Sequence, residues 1–383
     1  MWSHRPVRVS RDRRIDIGLL LGVIALLLVG LPAIYSASYV TVGVGRLVHQ
    51  VAWAAVGLLA MGVVACVDYR VWLRHWQTLY ILTLLVLLAT LFSRPINGAH
   101  SWLGVGALRI EPGELAKFIL ILTLASLLVR YADTLQQWPV FLRGLAFMAV
   151  PALLVMAQPD LGTGLIICAI WAAMVWVAGA RWWMLVAVIA GALLLFVLAW
   201  NIHLPGGRAL IKDYQKKRLD FAHASPVGSG YHQLQARIAI GAGEVRGKGY
   251  LQGTQAQRGF LPEQDTDFIY AVIGEEFGFL GCLLVLALFV FVLWRLLSIT
   301  EEAETLFGRL ITAGVVALLA AHLAINVGMN LTLSPVTGIP LPFISYGGSN
   351  LVTNFLAIGV TLNISRHRQS RRDWAPVDAL IHA

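Results

Sequence analysis

Long apolar runs separated by short polar joints recur along almost the entire chain, and one polar stretch, residues 202–266, interrupts them. Ten runs stand out, over residues 16–38, 45–67, 74–93, 113–130, 141–157, 160–179, 182–201, 267–295, 306–334 and 343–364. Each is long enough to cross about 30 Å of hydrocarbon as a helix. A backbone in lipid must satisfy its amides internally, and runs this continuously apolar are not the alternating strands of a barrel. The pattern predicts an all-α polytopic membrane protein of about ten transmembrane helices, with one long loop between the seventh and the eighth.

No linker, low-complexity tract or convincing internal repeat divides the chain. The expected organisation is a basic arm (1–15), a single membrane domain (16–365) that includes the 202–266 loop, and a short tail (366–383). Within the loop, residues 214–221 and 231–240 place apolar side chains three or four apart against Lys, Arg and Gln, which predicts two interfacial helices. Gly241, Gly243, Gly247, Gly249 and Gly253 follow, predicting tight turns. Pro159 ends the short fifth run. Residues 333–350 carry three prolines and three glycines at a membrane boundary, the sign of irregular backbone facing a cavity.

Composition agrees: 58% of residues are hydrophobic, 13% are charged, and the mean hydropathy is +0.75. Lys and Arg set the orientation. With the N-terminus inside, the cytoplasmic segments hold 16 arginines, while the short outer loops hold Arg46, Arg94 and Arg109. Both termini are therefore expected in the cytoplasm and the long loop outside. Its nine cations do not count against this, because loops above about 60 residues translocate largely regardless of charge. The basic arm precedes a first run without a small-residue cleavage site, so a retained helix is expected rather than a signal peptide. The net charge of +9 is mostly topogenic, and no nucleic-acid partner is expected. Cys66, Cys168 and Cys282 fall in or beside apolar runs, which indicates neither a disulfide framework nor a metal site.

Ionisable side chains within spans cost about 2.5–3.5 kcal/mol at the helix centre, so each needs a partner or a task. Five acids and one lysine qualify. Glu114 and Lys117 are three apart on one helix face, either a structural ion pair or a pair lining a cavity where Lys117 meets an anion. Glu111 precedes Pro112 at the same helix start, and Asp160 opens the sixth span, where a first-turn acid stabilises the helix without chemistry. Glu275 and Glu276 lie roughly 12–13 Å deeper than Asp267 along the helix; the expected partner of Glu275 is Lys117 or an inner arginine. Asp267 sits at the mouth of the eighth span, open to water and to a lipid-borne substrate, the place for a general base; an N-terminal acid with Thr266 as the cap is the alternative, and Asp265 competes. Arg208, Lys212, Lys216, Lys217, Arg218, Arg237, Arg246, Lys248 and Arg258 either neutralise a diphosphate or face anionic lipid heads.

Several ordered motifs carry a resemblance. Trp102 with Glu111 through Lys117 (EPGELAK), Gln158 through Thr163 (QPDLGT), Gly230-Tyr231-His232, Gly247 through Gln255 (GKGYLQGTQ), Phe260 through Glu263 with Thr266 through Ile269, and Pro340 through Ser349 (PLPFISYGGS) together resemble the SEDS family (shape, elongation, division and sporulation) over roughly residues 16–368. Val336 through Pro340 and Gly253-Thr254-Gln255 favour its rod-shape branch over its division branch.

The resemblance implies an inverting glycosyltransferase of the bacterial cytoplasmic (inner) membrane that polymerises peptidoglycan glycan strands from lipid II on the outer face. Asp267 would be the general base, Lys117 and loop cations including Lys248 would stabilise the leaving diphosphate, and Glu114 and Asp160 would shape the cavity, with Arg109, Ser345 and Glu276 as further cavity residues. Implied partners are a class B penicillin-binding protein, elongation-complex proteins such as MreC and MreD, lipid II and membrane lipids. No cofactor is firmly implied, although a divalent cation such as Mg or Mn suits a diphosphate.

The chain departs from the family at Glu111 (usually Gln), Gly113 (usually Ser), His100-Ser101 (usually arginine) and Asp265 (usually His). His223 through Pro226 replace an Asp-Pro that often follows the Tyr214 segment. The added acids are expected to weaken diphosphate binding or raise the Asp267 pKa. A lipid II transporter and a noncatalytic scaffold are the rival readings. A transporter would need charges reachable from both sides, whereas the buried acids here cluster toward the outer half.

Overall fold

The computed structural model describes residues 15–93, 102–105, 108–201, 203–204, 208–209 and 229–367. Every apolar run is helical: α1 (Ile17–Ser38), α2 (Gly45–Cys66), α3 (Val71–Thr90), α4 (Pro112–Arg130), α5 (Trp138–Ala157), α6 (Leu161–Val177) and α7 (Trp182–Asn201) precede the loop. A loop helix α8 (Ser229–Ala242) follows, then α9 (Ile269–Glu302), α10 (Leu306–Asn330) and α11 (Gly348–Ser365). Among the described residues, seven of these are long and apolar enough to cross a membrane; α6 and the stretch Trp182–Leu198 of α7 are apolar but shorter. α11 carries Asn350, Asn354 and Asn363 on a buried surface, so its polarity serves the interior.

α2 lies along α11, α6 and α9 against α10, α3 against α4, and α1 against α9. One hydrophobic core runs through the bundle. α4 is central, with 78% of its most apolar window buried, whereas α3 buries 11% and turns its leucines to the surroundings. At the cytoplasmic end expected for α1, Asp16 caps the helix through Leu19 N (2.8 Å) and receives Arg295 Nη2 at 2.5 Å, fastening α1 to α9.

The loop helix predicted over 231–240 is present as α8, and the glycine-rich turns follow it. Residues 331–347 are irregular, as their prolines and glycines predict. The helix predicted over 214–221, the basic arm to residue 14 and the tail beyond 367 lie outside the described residues. Two short hairpins went unforeseen: Leu103–Val105 pairs with Leu108–Ile110, and His203–Leu204 with Arg208–Ala209. Strands of two or three residues carry too little periodicity to show in a sequence.

The partner expected for Glu275 is also different. α9 is broken at Gly278 (φ 66°, ψ −159°), and the loop enters the break: Lys248 N and Gly249 N donate to Glu275 O and Glu276 O at 3.0 Å, while Phe279 N donates to Glu244 O at 2.8 Å. Glu275 therefore stands beside the loop and pairs with Lys248 Nζ at 2.7 Å rather than with Lys117 or an inner arginine. It also accepts from Thr254 Oγ1 and from the amides of Gln255 and Ala256, holding the helical turn Thr254–Gln257.

A Cβ on Gly247 (φ +78°) would lie 2.1 Å from Glu276 O, and one on Gly278 2.4 Å from Gly247 N. Gly247→Ala is therefore expected to destabilise the protein by about 2 kcal/mol or more, through left-handed strain plus backbone displacement. The thermal midpoint in detergent should fall by several degrees, while Gly62→Ala, with nothing within 4 Å of the added methyl, leaves it in place.

Candidate functional site

The starts of four helices meet at one end of the bundle. Glu111 N, at the start of α4, donates to Ser349 Oγ of α11 at 3.1 Å. A Cβ on Gly113 would lie 3.7 Å from Thr163 Cγ2 and 4.0 Å from Asp160 Oδ2, so α4 and α6 begin side by side. The 337–339 segment crosses the start of α6, since a Cβ on Gly162 would meet Ile339 at 2.5 Å; the equivalent atom on Gly338 would be 3.6 Å from Asp267 Oδ2. Helix N-termini carry partial positive charge, so this convergence favours an anion at the centre.

Asp267 lies in the turn 263–268, just outside α9, which begins at Ile269 rather than at residue 267. The turn is held on every side. Glu263 O accepts from Thr266 N, Asp267 N and Phe268 N. Asp265 O accepts from Tyr346 N at 2.8 Å, Thr266 O from Ser345 Oγ at 2.5 Å, and Asp267 O from Asn326 Nδ2 at 2.9 Å and Asn330 Nδ2 at 3.1 Å. With its backbone satisfied, the half-buried Asp267 carboxylate takes little part in the scaffold. Burial, then the nearby Glu263 charge, push its pKa up to about 7, against a lowering contact from Thr266. The rise expected from Asp265 is not its cause. Asp265 is 4% exposed and ion-paired to Arg46, whose guanidinium also lies over Tyr346.

Glu114 and Lys117 form a buried pair, Nζ to Oε1 2.8 Å. Lys117 is 0% exposed, so it lines no open space in this state. Its Nζ also lies 2.9 Å from His322 Nε2, and Glu114 Oε2 accepts from Asn350 Nδ2 at 2.8 Å. The pair thus cross-links α4, α10 and α11. His322, Asn326, Asn330 and Asn350 escaped the sequence reading, which weighed only acids and lysine; four-residue spacing of polar groups within an apolar run was the available signal.

Asp160 caps α6 through Thr163 N at 3.0 Å and joins the same cluster. Glu111 has its pKa raised well above the ordinary value by burial, then by the charges of Glu114 and Asp160, with Lys117 opposing and Asp267 adding. Ser345 clamps the base turn and also accepts from Leu341 N at 2.8 Å. Lys248 and Glu276 sit apart from this cluster at the α9 break, Glu276 accepting from Ser36 Oγ of α1. Arg109 is placed on a hairpin strand, its side chain outside the description. Among the described residues, no three His, Cys, Asp or Glu side chains are grouped to hold a metal ion.

Comparison with known proteins identifies the family of the chain. The peptidoglycan glycosyltransferase MrdB of Escherichia coli (strain K12) is 36% identical over 362 residues, 93% of this chain and 94% of that one. The stage V sporulation protein E of Bacillus subtilis (strain 168) is 36% identical, covering 91% and 97%. A chain of a peptidoglycan synthase complex solved for its coordination of polymerization and crosslinking superimposes with a TM-score of 0.77 at 28% identity, covering 92% of this chain and 98% of that one. The rod shape determining protein RodA of Thermus thermophilus superimposes at 0.68 with 27% identity, covering 93% and 98%. Residues 17–370 match the FtsW/RodA/SpoVE family of cell cycle proteins, and the chain belongs to that family.

Proposed function

We propose that this protein is a peptidoglycan glycosyltransferase that polymerises glycan strands from lipid II for cell elongation and rod shape. Its ten helical runs would span the bacterial cytoplasmic membrane with both termini inside and the site on the outer face. The observation that carries the reading is the Asp267 carboxylate: half-buried, held in a clamped turn, facing four helix N-termini. Asp267 would take the proton of the 4-hydroxyl of an acceptor GlcNAc as that oxygen forms its bond to the anomeric carbon of the lipid-linked MurNAc. The bond from that carbon to the diphosphate breaks, and undecaprenyl diphosphate leaves with the electron pair. Positive helix ends and loop cations would stabilise the departing anion. Lys117, sealed behind the site, would contribute fixed positive charge rather than a direct contact.

The Escherichia coli relative is named a peptidoglycan glycosyltransferase, and the structural neighbour is part of a peptidoglycan synthase complex that coordinates polymerization and crosslinking. A class B penicillin-binding protein is accordingly the proposed partner, with MreC and MreD as further members of the assembly. The reading requires no resident cofactor; Mg or Mn is testable by chelation. Purified protein with its crosslinking partner is expected to convert labelled lipid II to glycan polymer. No polymer from well-folded protein overturns the reading.

The pH dependence adds a second check. A base works only when deprotonated, and burial places the Asp267 titration near 7. The kcat/KM for lipid II is therefore expected to rise roughly tenfold per pH unit below about 7 and to level off above it. A flat profile from pH 5 to 8 would remove Asp267 from the role.

A further inference from the structure

Polar side chains on α10 follow a helical rhythm. His322, Asn326 and Asn330 stand four residues apart, share one face, and are each 0% exposed. Polar groups in an apolar helix cost free energy unless each is hydrogen-bonded. Here the hydrogen-bond partners of these three side chains beyond α10 itself belong to the site. His322 bonds Lys117 and Pro340 O, Asn326 bonds Asp267 O and Ile339 O, and Asn330 bonds Asp267 O.

The protonation of His322 follows from its neighbours. Pro340 O, 3.0 Å from Nδ1, can only accept, so Nδ1 carries the proton. The Lys117 ammonium has only donors, so Nε2 accepts from it across 2.9 Å. The ring is a neutral bridge, donating to the 335–342 segment and accepting from the buried lysine. That segment passes over Asp267, with Gly338 closest, and one rung down Asn326 holds both Ile339 O and the backbone of Asp267.

We propose that His322 is a positioning residue. As a neutral imidazole with its proton on Nδ1, it couples the Lys117–Glu114 pair to the 335–342 segment and, with Asn326 and Asn330 on the same face, fixes where Asp267 stands relative to that buried charge. The proposal rests on the reading of Asp267 as the base. His322 touches neither sugar nor diphosphate in this scheme; it acts through the groups it holds. Misplacing a reacting group by about 1 Å costs up to roughly 100-fold in rate, while ground-state binding of a large lipid substrate elsewhere is untouched.

The test compares His322→Gln and His322→Leu in the purified complex with its crosslinking partner. Glutamine can still accept from an ammonium and donate to a carbonyl; leucine can do neither. His322→Leu is expected to lower kcat by about 10- to 100-fold with KM for lipid II within about threefold, and His322→Gln to restore most of the loss. Equal activity of both variants, whether full or lost, overturns the proposal, as does a loss seen in KM alone. Should His322→Leu not fold, Asn330→Ala decides: it removes one of two donors to Asp267 O at the end of α10. A lower kcat at unchanged KM supports the ladder, and wild-type kcat overturns it. Asp267→Asn, assayed in parallel, separates the two ideas. Polymer from Asp267→Asn sinks the base assignment itself, whereas an inactive Asp267→Asn beside a fully active His322→Leu sinks only the positioning role.

Discussion

Asp267→Asn is expected to abolish glycan polymerisation, by about 10²- to 10⁴-fold, in protein that folds and assembles normally. The isolation of the effect comes from how the turn is built. Its hydrogen bonds to Asn326, Asn330, Ser345 and Tyr346 all run through carbonyls of residues 265–267, which the substitution leaves in place. An amide of the same shape removes the base and little else. Asp265→Asn makes the control. Its carboxylate is buried against Arg46 and anchors the turn, so the expected cost is mainly stability, with activity of the folded fraction within about tenfold of wild type. Labelled lipid II, with products resolved by gel, reads both. Undiminished polymer from Asp267→Asn, or an equal collapse of both variants, would send the base assignment elsewhere.

The second large effect belongs to Lys117. Lys117→Met leaves the buried Glu114 without its cation, with Asn350 as its remaining side-chain hydrogen-bond donor among the described residues, and breaking a buried pair from one side costs about 3–5 kcal/mol. The thermal midpoint should drop steeply, and product formation with it. Adding Glu114→Gln removes the stranded charge and should recover most of the stability. If Lys117 contributes positive charge to the reaction, the refolded double variant remains slow. Full activity in that variant would reduce the pair to a structural bolt.

Helices were legible because apolar runs of this length admit one solution in lipid, and the place of Asp267 at the mouth of a span was legible because the polar loop ends there. Other features depend on chain segments far apart in sequence. Nothing in the run 267–295 marks Gly278 as a break, because the loop segment that fills it lies some thirty residues upstream, about the separation of Gly247 from Gly278. Lys248 looked like a free cation for the same reason, its partner Glu275 being brought to it only by that break. His322 was passed over since an uncharged ring in an apolar helix looks ordinary until Lys117 and Pro340 close around it. Lys117 itself was readable as a pair with Glu114 from spacing alone, but its seal from solvent was not.

The break in α9 also bears on how the chain is made. A span interrupted at Gly278 exposes amides and carbonyls that hydrocarbon cannot satisfy, and Glu244, Val245, Lys248 and Gly249 supply the missing partners. Those residues emerge from the ribosome before α9 and, in the proposed orientation, have crossed to the outer side before it enters the bilayer. The break in the span therefore has its hydrogen bonds completed by chain made before it, and the Lys248–Glu275 closure joins the exported segment to the helix it completes.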